Sequence, residues 1–496
     1  MKKFGTLLGT ASLLLVSFTA GAQYRDTAAD GPQTVEKTDT AGTPVVITLE
    51  QALQIALSEN LSVKVADMEI KRNEYAKKST YSSLFPQIDL SGSYQRTIKR
   101  QVMYMDVDLS ALKGGSSAGT GSGTGSGTGS GEGSGEGSAS AGNALANGME
   151  VGRLNTLNFG VAAALPLVNA QLWESIKISG KSVDLAVEKA RASRLDMITQ
   201  VKNAFYTTLL AKEAFNVYKE VYENALKNYE ETEKKYNAQK ASELDLTRAK
   251  TTVANAVPNV YNAESSVILA LWQLKALMGV DLDMDLDIAG NLEDYSEHMF
   301  YDIHQHDSVS LDANTTMRQL AIQAEQLARN IRLQKYAYIP TLAAQFNFSF
   351  NTMANDVQFS QFRWTPYSYV GIGLSIPIIT GGKRINDVRQ AKNQYSQLQL
   401  QTQDTERNLR IAIRQSLNTM ETNMKSYYAA QEAVGTAQKG YDIAERSYQV
   451  GRSTLIELND AQLALTQAKL SESQAIYNFV VAKAQLEQTL GKDFVE

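Results

Sequence analysis

The chain has 496 residues, of which 43% are hydrophobic and 20% charged, and its formal net charge is −5. This weakly negative balance provides no basic surface of the kind that binds nucleic acid, so we expect no nucleic-acid partner. Cysteine is absent, which excludes disulfides, a cysteine nucleophile and the acylated cysteine of a lipoprotein.

The N-terminus has the pattern of an export signal. A pair of lysines precedes an apolar stretch from Phe4 to Phe18, and Ala20-Gly21-Ala22 is a typical cleavage site. The apolar stretch is shorter than the roughly 20 residues that a membrane-spanning helix needs. We therefore predict a signal peptide over residues 1–22, followed by a flexible, polar N-terminus over residues 23–44.

The first structured element is predicted to be a helix. Thr48 and Gln51 can form a capping box, and apolar residues then follow at helical spacing. We expect this helix to continue to about Phe85, because Pro86 lacks an N–H and disfavours helix in the residue before it.

Four segments alternate between apolar residues and smaller or polar ones, as strands do. Strands of about ten residues with this dyad repeat are typical of membrane β-barrels. A soluble sandwich is the alternative, but four strands are too few to build one alone. The predicted strands are Ile88–Tyr94, Leu157–Leu165, Pro340–Met353 and Val370–Ile376.

A Gly/Ser-rich tract, residues 114–142, separates the first two strands. Its composition is that of a flexible coil that cannot bury a core. A phosphate-binding loop is the alternative, but no Lys-Ser/Thr pair follows the glycines. Because it lies between two predicted strands, we expect this tract to be a long loop at one end of the barrel.

Very long helices are predicted after each strand pair, at about 168–236 and 380–449, each followed by a partner helix. The partner helices carry residues at intervals of seven, in one column of larger residues and one of alanines, which is coiled-coil spacing. Glu472 interrupts the larger column of the second partner helix. The alanine columns are Ala249, Ala256, Ala263 and Ala270, and Ala461, Ala468, Ala475 and Ala482.

The chain is internally duplicated. Tyr236, Leu246, Ala249, Leu274 and Gly279 recur 212 positions later as Tyr448, Leu458, Ala461, Leu486 and Gly491. A repeat on this scale, with few strands and long helices, favours a symmetrical tube over a catalytic domain. We divide the chain into a first repeat (45–279), an equatorial linker (280–312), a second repeat (313–491) and a C-terminal tail (492–496).

The linker holds the residues that could bind metal. Its three histidines could bind a metal, but the segment is expected to be an exposed linker with no second cluster of ligands, and the alternative is a solvated loop. The aspartates of Asp281–Asp287 lack the glycine and glutamate positions of a calcium loop, so we expect them to share one solvated face of a short strand. The histidines are His298, His304 and His306.

No motif indicates catalysis. Gly381-Gly382-Lys383 lacks the spacing of a phosphate-binding loop, so these glycines are expected to serve a strand-to-helix turn. The histidines have neither a serine elbow nor a paired acid. We therefore predict that the protein is not an enzyme and has no cofactor.

Together these landmarks resemble the TolC-like outer-membrane efflux proteins. The likeness rests on TLEQALQIALSENLSV from Thr48, ITGGKRINDVRQA from Ile379, YQVGRSTLIELNDAQ from Tyr448 and the Pro-bounded strand pairs. It implies an α+β membrane protein: a homotrimer in which each protomer gives four strands to a 12-stranded β-barrel in outer-membrane lipid. Long helices continue this barrel as a periplasmic α-helical barrel. Because these helices lie on the periplasmic side, we predict that the Gly/Ser tract, residues 114–142, is an extracellular loop.

The resemblance also implies a function. It predicts the exit duct of a tripartite efflux or secretion system, a passive channel opened at its periplasmic tips by an adaptor and an inner-membrane transporter. The cargo and the resting state, open or closed, are not implied. The alternative is an exported coiled-coil scaffold that binds a partner without forming a pore.

The resemblance places two sites near the second hairpin tip. The adaptor docking tip is predicted at Val450, Gly451, Ser453 and Thr454, whereas the first tip, Ala238–Ser242, departs from that pattern.

Glu457 and Asp460, one helical turn apart, are predicted to form the periplasmic gate, with six carboxylates in a trimer. Their first-repeat counterparts are Asp245 and Arg248. The alternative is a solvated pair favoured by the dipole at a helix start.

Overall fold

A computed structural model describes residues 45–103, 149–297, 299, 310–356 and 362–492. In the first repeat the elements are β1 (Val45–Ile47), α1 (Leu49–Glu59), α2 (Leu61–Ser82), β2 (Gln87–Arg96), β3 (Gln101–Met103), β4 (Met149–Val151), β5 (Asn155–Val168), α3 (Ala170–Asn237) and α4 (Glu243–Met278). In the linker and the second repeat they are β6 (Leu286–Ile288), a 3-10 turn (Leu292–Tyr295), α5 (Thr315–Tyr336), β7 (Thr341–Ala354), β8 (Thr365–Ser375), α6 (Lys383–Gln449) and α7 (Leu455–Leu490).

Several predictions fall outside the described residues. These are the signal peptide, the polar N-terminus to residue 44, the Gly/Ser tract 114–142, the three linker histidines and the tail after Lys492.

The four predicted strands are confirmed and form one antiparallel sheet in the order β2-β5-β7-β8. β5 and β7 pair with each other, so the two repeats meet at the centre of the sheet. β5 extends past Pro166 to Val168 with a shift in register, so the proline does not end the strand. β2 and β8 are the edge strands, each paired on one side within the chain.

One face of the sheet is apolar and exposed. Ile88, Ala163, Phe346 and Val370 form a row across the four strands. Val370 is 78% exposed and Ile88 70%, whereas the polar Ser349, on the opposite face of β7, is 9% exposed. This is the reverse of a soluble sheet, whose apolar side chains are buried against a core.

The predicted long helices are also confirmed. α3 has 68 residues and α6 has 67, which at 1.5 Å per residue is about 100 Å each. No helix within the described ranges is both long and apolar enough to cross a membrane.

In each partner helix one heptad column is buried, the alanine column in α4 and the column of larger residues in α7. All four alanines of the first column are at most 7% exposed in α4, and Leu458, Leu465, Phe479 and Leu486 are at most 1% exposed in α7. The main core lies where α1, α3, α4, α6, α7 and the linker meet, and Leu53, Phe205 and Leu274 are fully buried there.

The prediction of one helix from Thr48 to about Phe85 is wrong. The Thr48 capping box is present, but the helix is interrupted at Asn60, which is extended (φ −63°, ψ 130°). Asn60 Oδ1 accepts from Ser62 N at 2.7 Å, and Asn60 Nδ2 donates to Leu277 O at 2.8 Å. The break therefore depends on a contact with the end of α4, more than 200 residues away.

The interpretation of Asp281–Asp287 as one short strand is also wrong. β6 includes only Asp287 of the four aspartates, and Lys212 forms an ion pair with it. The Asp281 side chain accepts from Asp283 N at 3.1 Å, which makes a turn instead of a strand. Asp281, Asp283 and Asp285 are exposed, as expected of a solvated segment.

Each repeat closes on a left-handed glycine that packs against the start of another helix. Gly279 ends α4 with φ +72° and contacts Glu59 and Asn60. Gly491 ends α7 with φ +68° and contacts Ala313 and Asn314. Asn314 Nδ2 donates to Thr489 O at 2.6 Å, which repeats the contact of Asn60 with Leu277.

We predict that Gly491→Ala is more destabilising than Gly381→Ala. Both glycines have a positive φ, which disfavours alanine by about 1–2 kcal/mol. At Gly491 a Cβ would also lie 2.2 Å from Ala313 O, whereas at Gly381 nothing lies within 4 Å. The clash adds about 1–3 kcal/mol, so the thermal unfolding midpoint of the full chain should fall further. Equal midpoints for the two variants would contradict the assigned packing.

Candidate functional site

The second hairpin tip is a tight turn between α6 and α7. Val450 is 70% exposed, and Gly451 has φ +81°, a conformation that glycine adopts without the penalty of a Cβ. Gly451 N donates to Tyr448 O at 3.1 Å, and Arg452 N donates to Ser447 O at 2.8 Å. The tip is therefore a hydrogen-bonded turn with an exposed apolar residue.

Thr454 and Glu457 form a capping box that starts α7. Thr454 Oγ1 accepts from Glu457 N at 3.3 Å, and the Glu457 carboxylate accepts from Thr454 N at 3.2 Å and from the Ser453 hydroxyl. The Ser453 hydrogen bond, followed by the Thr454 N–H, lowers the pKa of Glu457. The hydrogen bonds to the Glu457 carboxylate therefore stabilise the helix start fully at pH values above the ordinary pKa of glutamate. This stabilisation is lost as the pH falls through the lowered pKa of Glu457.

Asp460 is exposed on α7 one helical turn after Glu457. Within the described part of one protomer the Glu457 carboxylate accepts hydrogen bonds only from its own turn. This local role at a helix start agrees with the alternative to the gate, and the gate itself stays a prediction.

The first hairpin tip has the same backbone despite its different sequence. Gln239 takes the place of Gly451 and has φ +58°, the only positive φ of a non-glycine residue in the described ranges. Gln239 N donates to Tyr236 O at 2.8 Å, as Gly451 N does to Tyr448 O. Ser242 and Asp245 form the capping box of α4. The departure in sequence at Ala238–Ser242 therefore does not change the turn.

The two hairpins contact each other just above their tips. Lys235 Nζ donates to Tyr448 O at 3.1 Å and lies 4.5 Å from the centre of the Tyr448 ring. The Tyr448 hydroxyl shares a 2.6 Å hydrogen bond with Thr232, which is fully buried. Sequence reasoning used Tyr448 only as a marker of the repeat and missed Thr232 and Lys235. Their partners come from the other hairpin, which no local pattern reveals.

A second contact zone continues this junction. Lys227 and Glu445 form an ion pair at 2.9 Å, and Asn459 Nδ2 donates to Thr252 Oγ1 at 3.2 Å. A small apolar cluster lies between the hairpins, and its buried members are Ala249, Tyr441, Tyr448, Leu455, Leu458 and Leu465. Burial raises the pKa of Tyr441 to about 12, with nearby carboxylates adding to the effect.

The three linker histidines, which were the metal candidates, lie outside the described residues. Within the part of the chain that the structure describes, no group of three or more His, Asp or Glu side chains is placed to hold a metal ion. Gly381 and Gly382 both have positive φ, which confirms their predicted use in the strand-to-helix turn.

The sequence profile described as outer membrane efflux protein matches residues 52–280 and 308–492. The chain belongs to the outer membrane efflux protein family. This result confirms the resemblance to TolC-like proteins.

Individual relatives are distant. The outer membrane protein TolC of Escherichia coli strain K12 is 21% identical over 332 residues, which is 64% of this chain and 66% of TolC, just under two thirds. The CmeC outer membrane channel of Campylobacter jejuni superposes with a TM-score of 0.63 at 16% identity, covering 89% of this chain and 85% of CmeC. The open-state MtrE channel of Neisseria gonorrhoeae superposes with a TM-score of 0.63 at 17% identity, covering 89% of this chain and 88% of MtrE. At these identities the superpositions establish the fold.

We predict that loss of the N-cap hydrogen bond at one hairpin tip increases local unfolding of that tip and leaves the other tip unchanged. Thr454→Ala removes a cap hydrogen bond that stabilises the start of α7 by about 1 kcal/mol, which is roughly a fivefold change in local opening. Limited trypsin digestion should then cleave faster after the exposed Arg452, while cleavage after Lys240 serves as an internal control. Ser242→Ala should reverse the preference. Equal acceleration at both sites would contradict independent tips.

Proposed function

We propose that this chain is the outer-membrane exit duct of a tripartite efflux or secretion system, a passive trimeric channel and not an enzyme. The observation that carries the proposal is the four-stranded sheet with two open edges and an apolar exposed face, followed in each repeat by a helix of about 100 Å. Membership of the efflux family supports it.

Closure of the sheet needs other copies of the chain. β2 and β8 have unpaired edges within one protomer, and exposed edges pair readily with further strands. If β2 of one copy pairs with β8 of the next, three copies make a 12-stranded barrel. Its apolar face, which includes Leu90, Val370 and Ile372, would lie against outer-membrane lipid.

The helices support the same arrangement. α5 packs against both α3 and α6, whereas its repeat equivalent α2 packs mainly against α3. The free side of α2 is where α6 of a neighbouring copy would fit. Exposed apolar residues on α2, including Val65 and Met68, are consistent with such a neighbour. Cyclic symmetry would then close the helical barrel with one repeated interface.

The hairpin tips suit docking and gating. An adaptor would bind the turn at Val450, Gly451, Ser453 and Thr454, and the equivalent backbone at Gln239 offers a second contact. Three copies each of Glu457 and Asp460 would place six carboxylates around the narrow end of the lumen. Such a ring favours cations. Docking of the adaptor and the inner-membrane transporter would part the tips.

The trimer is tested by electrophoresis and mass measurement on the purified full chain. We expect an unheated sample to migrate as a compact trimer and to shift to the monomer position on boiling, because the sheet edges and the free side of α2 are covered only by assembly. A monodisperse monomer in detergent with native helix content would rule out the trimer.

Channel activity separates the duct from a coiled-coil scaffold without a pore. The purified trimer in a planar bilayer should conduct ions, whereas the scaffold should not.

We predict that Glu457→Ala together with Asp460→Ala increases single-channel conductance, weakens cation preference and removes block by multivalent cations. The matched control is Asp245→Ala, because Asp245 has the capping role of Glu457 in the first tip. If conductance rises equally in the control, cap loss explains the effect. If the double variant conducts as the unmodified trimer does, the gate assignment is wrong.

A further inference from the structure

α3 of the first repeat and α7 of the second are joined side by side by a series of polar pairs. From one pair to the next the residue number rises along α3 and falls along α7, so the two helices are antiparallel. The pairs are Lys202–Glu487 (2.6 Å), Thr207–Tyr477 (3.1 Å), Glu220–Lys469 (2.7 Å) and Asn224–Gln462 (3.3 Å).

Between the second and third pairs, this register places Glu213 of α3 opposite Glu472 of α7. Both side chains are half-buried. Elsewhere the interface pairs a donor with an acceptor, but here two carboxylates face each other. Glu472 is also the residue that interrupts the heptad column of larger residues.

Further carboxylates surround the pair. The 3-10 turn packs against both helices and carries Glu293 and Asp294, of which Asp294 accepts from Asn291 N at 2.9 Å. On the α4 side, Glu213 and Glu264 line a cavity of about 530 Å³.

The nearby cations are engaged elsewhere. Lys212 forms an ion pair with Asp287 and donates to Ile288 O at 3.1 Å. Lys469 forms its ion pair with Glu220 at 2.7 Å. α6 also packs against α7. Among the described residues of α6, no charged side chain contributes to the raised pKa of Glu472. Neither glutamate is therefore neutralised by a cation of its own.

The electrostatics agree with this geometry. Burial is the main cause that raises the pKa of Glu213, followed by Glu293, and Lys469 offsets part of the effect. Burial also raises the pKa of Glu472, followed by Glu293 and Glu213. Two facing carboxylates titrate as a unit, because the proton bound by one can be shared with the other.

The duplication did not place this pair at the equivalent interface. The counterpart of Glu213 in α6 is Lys425, and the counterpart of Glu472 in α4 is Val260. The facing carboxylates therefore belong only to the α3–α7 contact, which joins the two hairpins of one protomer.

We propose that Glu213 and Glu472 form a proton-dependent clasp between the two hairpins. When one carboxyl is protonated, its O–H donates to the facing carboxylate and holds α3 against α7. When that proton is lost to water, two negative charges face each other next to Glu293, and the contact loosens. The only bond that changes is the O–H bond of the carboxyl, whose proton passes to water. In the proposed duct the hairpins would part more easily at neutral than at acid pH, a consequence that rests on the proposed function.

The direction of the pH effect follows from the raised pKa values. Separation of the helices exposes both carboxyls and returns each pKa toward the ordinary glutamate value of about 4.3. The packed form therefore holds its proton to a higher pH than the separated form. Its extra stability is complete below about pH 4.3 and is lost as the pH rises through the raised pKa values.

Hydrogen–deuterium exchange of the full chain in detergent tests the clasp without requiring channel activity. Protection factors, corrected for intrinsic exchange chemistry, are measured at several pH values for peptides covering residues 207–220 and 465–477. In the unmodified chain the protection factor should fall as the pH rises. The total fall should be about tenfold for each unit by which the pKa in the packed form exceeds the pKa in the separated form. Peptides from residues 180–195 should show no such fall.

Glu213→Gln with Glu472→Gln should keep the acid-level protection at every pH, because the amides stay neutral and can pair with each other. Glu293→Gln should reduce the slope of protection against pH, because Glu293 contributes to both raised pKa values. The matched control is Glu223→Gln with Glu230→Gln, two exposed residues of α3, which should behave like the unmodified chain.

The single variants Glu213→Gln and Glu472→Gln, which retain one carboxylate each, should show a smaller fall of protection with pH, because the facing charge is gone while burial and Glu293 still act on the remaining carboxyl. They provide the test if the double variant does not fold. A flat profile in the unmodified chain, or an unchanged slope in the Gln variants, would overturn the clasp. A trimer that conducts ions while showing either result would leave the proposed function intact.

Discussion

The unpaired edges of a four-stranded sheet constrain everything else in this molecule. β2 and β8 each offer a row of backbone N–H and C=O groups, while the sheet turns Ile88, Val370 and Ile372 outward. Exposed edges invite pairing, and an apolar outer face is stable only against another apolar phase. Pairing between copies satisfies both requirements at once in the proposed trimer. The long helices, which follow β5 and β8 directly, are then brought around one axis by the same closure.

The duplication preserved backbone geometry more strictly than side-chain chemistry. Gln239 and Gly451 both occupy left-handed conformations, although glutamine adopts this region only at a penalty. Ser242 and Thr454 both start helices by the same capping box. These devices satisfy the N–H groups that a helix start leaves unpaired and allow a chain reversal in a few residues. A hairpin tip therefore needs a defined backbone, and different residues can provide it.

Sequence reasoning succeeded where structure depends on local pattern. Period-two alternation gave the four strands, heptad spacing gave the buried column of α4, and Thr48 with Gln51 gave a capping box. It failed at Asn60, where the helix is interrupted by a contact with the end of α4. It also missed the contacts of Tyr448 with Thr232 and Lys235, whose partners lie more than 200 residues away. Long-range packing has no signature in a short window of sequence.

The positions where the two repeats differ carry more information about function than those where they agree. Agreement at the capping residues is explained by the requirements of folding alone. At Arg248 and Asp460 the backbone is equivalent but the charge is opposite, and the position that holds Val260 in the first repeat holds Glu472 in the second. A half-buried glutamate in a heptad column disfavours packing, since its charge is desolvated without a cation of its own. Such a residue stabilises the fold less than valine would at neutral pH. Its presence on one interface only is therefore better explained by a contact that must separate than by one that must hold.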